Sequence, residues 1–66
     1  MPDYQVTLAA ARVNRHMSQK EAAEKLGISR ELLIKIESGK REPKPYELLA
    51  FSQLYQVPME LLSISQ

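Results

Sequence analysis

Two short helical segments separated by one glycine constrain this chain more than any other feature. Ser18 and Glu21 have the S-x-x-E spacing of a capping box, in which each side chain accepts a hydrogen bond from a backbone N–H at a helix start. Gly27 can take the left-handed conformation that ends a helix, and Ser29 is a second favourable N-cap residue. The pattern predicts helix 2 over residues 19–26 and helix 3 over residues 30–38, joined by a tight turn.

The rest of the chain also predicts helices. Residues 5–16 contain no Gly or Pro and predict helix 1, and the segment GKREPKP predicts a loop. Pro45 and Pro58 each suit the first turn of a helix, so they predict helix 4 in PYELLAFSQLYQ and helix 5 in PMELLSI. No strand-like alternation is visible, and 66 residues have room for one domain, residues 1–66.

Composition excludes several classes of protein. The chain has one histidine and no cysteine, with neither a Gly-rich phosphate loop nor a cluster of metal ligands, so we expect no enzyme, cofactor or metal. The N-terminal MPDYQV resembles no signal peptide and no apolar run is long enough to span a membrane, which favours a cytoplasmic protein. The formal charge of +1 does not by itself point to nucleic acid.

The capped helix pair is spaced as a helix-turn-helix unit, with motif residues 19–38. The segments MSQKEAAEKLGIS, KIESGKREP and LYQVPMELL extend the similarity. The chain resembles the phage repressor and Cro-type (XRE-type) helix-turn-helix family over about residues 8–62. The resemblance implies an all-α, five-helix, lambda repressor-like domain that acts as a transcriptional regulator, typically a repressor. It also implies a homodimer that places its third helices in the major groove of a pseudo-palindromic DNA operator.

The resemblance further assigns roles to individual residues. Gln19 would meet a DNA phosphate, although it could be a plain polar residue after a cap. Arg30 and Lys35 could donate to guanine, and Glu31 could accept from cytosine or orient Arg30. The predicted base-reading residues are Ser29, Arg30, Glu31, Ile34 and Lys35. The predicted phosphate-binding residues are Gln19, Ser38, Gly39, Lys40, Arg41 and Lys44, of which the last five could instead form a flexible basic loop.

Two further sets of residues follow from the same resemblance. Arg12 of helix 1 and Glu37 of helix 3 are expected to form an internal, mainly structural ion pair. The region around helices 4 and 5 is expected to form the homodimer interface, in part through Tyr55, Val57, Pro58, Met59 and Leu62.

Leu32 and Ile34 depart from the family pattern, because they make helix 3 apolar on more than one face. They could contact thymine methyl groups, dock a protein partner, or pack more deeply in the core. The second possibility keeps an alternative function open: an interaction module on the same fold, such as an antitoxin or a small adaptor.

Overall fold

The computed structural model describes residues 5–63. Residues 1–4 and 64–66 lie outside this description, and with them the first residues of MPDYQV and the last residue of the predicted helix 5. In chain order the elements are β1 (Val6–Thr7), α1 (Leu8–Asn14), α2 (Gln19–Leu26), α3 (Arg30–Glu37), α4 (Pro45–Tyr55), a 3-10 helix (Met59–Leu61) and β2 (Leu62–Ser63).

The middle helices begin where the N-cap serines predict, although within residues 5–63 no hydrogen bond joins the Glu21 carboxylate to the Ser18 N–H. Ser18 Oγ accepts a hydrogen bond from the Glu21 N–H, and Ser29 Oγ accepts one from the Leu32 N–H, both at 3.0 Å. Gly27 ends α2 with φ +74°. Helix α3 ends at Glu37, one residue earlier than predicted.

The five-helix prediction is not confirmed, because the described residues form four α-helices. Where helix 5 was predicted, only the short 3-10 helix forms, and Leu62 is already extended at ψ 133°. Leu62 then pairs with Val6 in a two-residue parallel ribbon, β1 with β2, that the sequence analysis missed. Helix α1 therefore starts at Leu8 rather than at residue 5, with Thr7 Oγ1 accepting from the Ala10 N–H.

The core lies between α1, α2, α3 and α4, and each helix contributes one narrow stripe. Phe51 and Tyr55 stack at a ring-centroid distance of 5.8 Å and are its largest side chains. Small residues of α2 let the neighbouring helices approach closely. The buried hydrophobic residues of this core are Leu8, Ala11, Ala22, Ala23, Leu33, Ile36, Phe51, Tyr55 and Leu62.

Candidate nucleic-acid interface

The turn between α2 and α3 fixes the orientation of the two helices. Gly27 N–H and Ile28 N–H donate to the carbonyls of Glu24 and Ala23 at 3.2 and 3.1 Å, which closes the C-terminus of α2. Ser29 then caps α3 directly. Since every residue of the turn has a defined bond or cap, α3 projects from α2 at a set angle, as a helix-turn-helix unit requires.

Helix α3 has one buried stripe and one exposed stripe. Leu33 and Ile36 have no measurable exposure and anchor the helix in the core. Because an α-helix has 3.6 residues per turn, residues spaced three or four positions apart lie on the same side of it. The side of α3 opposite Leu33 and Ile36 therefore forms a strip along the helix. That strip is exposed along its length and consists of Arg30, Glu31, Ile34, Lys35 and Ser38.

Leu32 and Ile34 point to different sides of α3. Leu32 is half-buried and packs against the core, whereas Ile34 is 39% exposed on the outer strip. Leu32 also lines a cavity with residues of α4. The two residues therefore do not form one continuous apolar patch.

A polar network joins α1, α2 and α3. The Arg12 guanidinium donates two hydrogen bonds to the Glu37 carboxylate, from Nε to Oε2 at 2.8 Å and from Nη2 to Oε1 at 3.4 Å. Its third nitrogen, Nη1, donates to the Met17 carbonyl at 2.9 Å. Gln19 Nε2 donates to Glu37 Oε1 at 3.2 Å. The structure thus brings Arg12 and Glu37 together, with side chains only 13% and 7% exposed.

Gln19, the first residue of α2, has a role beyond the predicted phosphate contact. One of its two amide N–H groups is directed at Glu37, so the carboxylate orients the Gln19 side chain. Gln19 is half-buried, and its remaining amide groups stay at the start of α2, where the helix dipole favours an anion.

The exit loop after α3 uses its own backbone N–H groups internally. The N–H groups of Ser38 and Gly39 donate to the Ile34 and Ile36 carbonyls, and those of Lys40 and Arg41 both donate to the Lys35 carbonyl. Ser38 Oγ donates to the same Lys35 carbonyl at 3.1 Å. These main-chain N–H groups therefore close the end of α3, and the loop offers other molecules its side chains rather than its backbone donors.

Arg41 is held by an internal ion pair rather than left free in the loop. Its Nη1 and Nη2 donate to the two carboxylate oxygens of Glu47 at 3.1 and 3.2 Å. Glu47 Oε1 also accepts from the Lys44 backbone N–H at 2.8 Å, which caps α4. That backbone bond, opposed by burial and aided by Arg41, holds the pKa of the Glu47 carboxyl below its ordinary value of 4.5.

The sequence analysis missed Glu47, although a local signal was present. Glu47 stands three residues after Lys44 and two after Pro45, which is the N3 position of a helix that begins at Pro45. A glutamate at N3 commonly bonds back to the N-cap N–H. That position predicts the bond to the Lys44 N–H, whereas it does not predict burial of the carboxylate, since Glu21 at N3 of α2 is exposed.

Two loop cations remain outward. Lys40 and Lys44 are exposed, and within residues 5–63 neither ammonium group forms an ion pair or hydrogen bond. Together with Arg30 and Lys35 of the outer strip they form what we call the basic surface. This local surplus of positive charge suits a polyanion.

The residues predicted for dimerisation differ in their accessibility. Tyr55 is 1% exposed and Leu62 8% exposed, so both belong to the core and have almost no surface for a second copy. Burial, aided by the nearby Glu37 charge, raises the pKa of the Tyr55 phenol to about 12. Val57 is half-buried, while Pro58 and Met59 are exposed.

The described part of the chain, residues 5–63, contains no group of three or more His, Asp or Glu residues able to hold a metal ion. None of its helices is long and apolar enough to cross a membrane.

The capped α2–α3 pair and the exposed strip of α3 together define a helix-turn-helix DNA-binding unit. A family model described as helix-turn-helix matches residues 8–62, which is most of the chain. The chain therefore belongs to the Cro/repressor-like, XRE-type helix-turn-helix family, whose members are DNA-binding regulators. Searches of curated proteins and of solved structures find no match.

Proposed function

We propose that this protein is a sequence-specific transcriptional regulator that inserts α3 into the major groove of an operator. The observation that carries the proposal is the exposed strip of α3, which presents two cations, a carboxylate and an isoleucine opposite the buried Leu33 and Ile36. Such a strip offers both hydrogen-bond donors and an apolar group to base edges. A strip that served only solubility would have no need for the isoleucine.

Each residue of the strip has a proposed partner in the groove. Arg30 and Lys35 donate to guanine O6 and N7, and Glu31 accepts from cytosine N4. Ile34 is the residue for a thymine methyl group, because it is the exposed apolar side chain of α3. Ser29, at the start of α3, completes the set.

Phosphate binding is assigned to side chains rather than to the loop backbone. Lys40 and Lys44 are the outward cations beside α3, and Gln19 offers an oriented amide at the start of α2. Arg41 forms a net-neutral pair with Glu47, so it adds little to the positive charge that attracts phosphates, although some of its N–H donors stay unused. Phosphate contacts set the position of the protein on the duplex without reading sequence.

We further propose that two copies bind a pseudo-palindromic operator and repress transcription by occupying it. Met59 is 38% exposed and follows the exposed Pro58 and the half-buried Val57, so three consecutive apolar residues supply surface for a second copy. A two-fold dimer would present two α3 helices to half-sites one helical turn apart. Met59→Glu should then lower the fraction of dimer measured by sedimentation. Val13→Glu makes the same kind of change, from an apolar residue to an acid, at an exposed position of α1 and should leave the fraction of dimer unchanged.

The protein-interaction alternative loses its main support. A dock built from both Leu32 and Ile34 requires the two residues to share a face, and they lie on different sides of α3. Ile34 alone offers too small a patch for a stable interface.

The proposal is tested by selecting bound duplexes from a randomised DNA pool at physiological salt, where non-specific binding is weak. Two enriched inverted half-sites about one turn apart would support the dimeric operator. A single enriched half-site would retain DNA reading but reject the dimer. No enrichment with folded protein would reject sequence-specific binding.

The selected site then tests the base readers one at a time. Arg30→Ala should cost about 1–3 kcal/mol on the selected site and much less on random DNA, while Arg15→Ala, an exposed arginine outside the strip, should affect neither. Replacing the contacted thymine by uracil removes only the methyl group. The wild type should lose affinity on the uracil site, and Ile34→Ala should bind both sites equally.

A further inference from the structure

A cavity of about 410 Å³ lies between the helix-turn-helix turn and α4. Its apolar wall comes from the turn and α3 on one side and from α4 on the other. The exposed ring of Tyr46 and the Arg41–Glu47 ion pair also border it. The residues that line it are Leu26, Gly27, Ile28, Leu32, Ile36, Arg41, Tyr46, Glu47, Ala50 and Phe51.

The size of the cavity suits a small molecule. Clefts that bind organic ligands have volumes of roughly 300–1,000 Å³, with mostly apolar walls and a few polar groups. This cavity lies near the lower end of that range and has the same division between an apolar body and a polar end. A ligand with about ten non-hydrogen atoms is therefore small enough to fit in this cavity.

The polar end of the cavity offers hydrogen-bond donors that suit an anion. Arg41 and Glu47 border this end, and the Arg41 guanidinium is its source of donors. The guanidinium of Arg41 has five N–H donors, and its bonds to Glu47 use two of them. Its side chain is 30% exposed and lines the cavity, so it has surface that a ligand can contact.

We propose that this cavity is a binding site for a small carboxylate with an apolar body, such as an aryl- or alkyl-carboxylate. The apolar body lies between Leu32 of α3 and Ala50 of α4, which both line the cavity and are only half-buried, and the carboxylate accepts hydrogen bonds from Arg41. Leu32 belongs to the same helix as the base-reading strip. Ligand binding and DNA binding would then be linked through the position of α3.

The test titrates the free, isotopically labelled protein with 3-phenylpropionate and, separately, with its uncharged amide. Saturable shifts of the backbone N–H signals of Gly27, Leu32 and Ala50 are expected, with a dissociation constant between about 0.1 and 1 mM. A partly exposed charge contact should make the carboxylate about two- to fivefold tighter than the amide. Since no DNA is present, the outcome is independent of the proposed DNA contacts.

A matched pair of variants localises the binding. Ala50→Met places a longer side chain in the cavity and should abolish the shifts, whereas Gln53→Met adds the same side chain to an exposed position of α4 and should leave the dissociation constant unchanged. If Ala50→Met does not fold, Leu32→Phe fills the cavity from the α3 side. Full binding by the folded cavity variant would overturn the site.

Two other outcomes would also overturn the proposal. Shifts scattered over the surface without saturation up to about 10 mM would mean that no site for this class exists, given the affinity expected for a ligand of this size. Equal affinity for the acid and the amide would reject the anionic class. A change in operator affinity on adding the carboxylate to wild type, absent in Ala50→Met, would support the linkage to α3.

Discussion

Replacing Arg12 by methionine should remove much of the stability of the protein. The side chains of Arg12 and Glu37 are 13% and 7% exposed, which places this ion pair among buried pairs rather than surface pairs. Removing one partner of a buried pair costs about 3–5 kcal/mol, since it leaves an unpaired buried charge. Exposed pairs typically contribute less than about 1 kcal/mol.

The size of this loss is large for such a short chain. Proteins have about 0.05–0.15 kcal/mol of stability per residue, so a 66-residue domain has about 3–10 kcal/mol. With an m-value near 1 kcal/mol/M, a loss of 3 kcal/mol moves the urea midpoint by about 3 M. Urea unfolding followed by circular dichroism measures this shift. If the wild-type stability is near the low end of that range, the variant should already be largely unfolded in water.

Two further variants separate the charge effect from other causes. Arg15→Met changes an exposed arginine just after the same helix and should alter stability by less than about 0.5 kcal/mol. The double variant Arg12→Met/Glu37→Leu removes both charges and should recover most of the loss. About 1 kcal/mol should remain lost, because the Met17 carbonyl has no replacement donor. A loss below 1 kcal/mol for Arg12→Met alone would refute the buried-pair reasoning.

Three other outcomes follow from the loop and from α4. Lys40→Ala should weaken binding to all DNA and flatten the dependence of log K on log salt by about one unit per bound copy. Arg41→Ala should leave that slope nearly unchanged and instead lower the urea midpoint. Because the pKa of Glu47 is lowered in the folded state, its contribution to stability is full above pH 4.5 and is lost as the pH falls through the folded-state pKa. In urea titrations at a series of pH values, Glu47→Gln should therefore lose less stability on acidification than the wild type. Gln56 has φ +58° at the end of α4, so Gln56→Gly should raise the melting temperature through a gain of up to about 1 kcal/mol.

The helices that could be predicted from the sequence are those whose ends depend on local chemistry. Ser18, Gly27 and Ser29 act through backbone groups within four residues of themselves, so their pattern predicts α2 and the start of α3. The bond from the Lys44 N–H to Glu47 could also be predicted locally, through the N3 position of Glu47. Local signals therefore predict hydrogen bonds at helix ends, but not the pairing of Glu47 with Arg41.

The ends of the chain could not be predicted in this way, because their structure depends on residues far apart. Val6 pairs with Leu62, and no local pattern in either segment predicts a strand of two residues. Arg12 and Glu37 are similarly distant, and only the resemblance to a known family suggested their pairing. The same pairing of β1 with β2 buries Leu62, which removes it from the predicted dimer surface.

The salt dependence of operator binding offers a test of the dimer that does not require a stable dimer in the absence of DNA. Arg12 and Arg41 are held by internal carboxylates, so each copy brings only two or three outward cations to phosphate, chiefly Lys40 and Lys44. Each neutralised phosphate contributes about −0.9 to the slope of log K against log salt, which gives about −2 to −3 for one copy and about −4 to −5 for two.

Fluorescence anisotropy on the selected duplex and on a single half-site measures both slopes. If two copies bind the full site, its slope should be about twice that of the half-site, and Lys40→Ala should reduce it by about two units there but by one unit on the half-site. Equal slopes on both duplexes would mean that one copy occupies the operator. In that case Met59 and Pro58 would have no role in binding DNA, and the inverted repeat would have to be absent from the selected sequences as well.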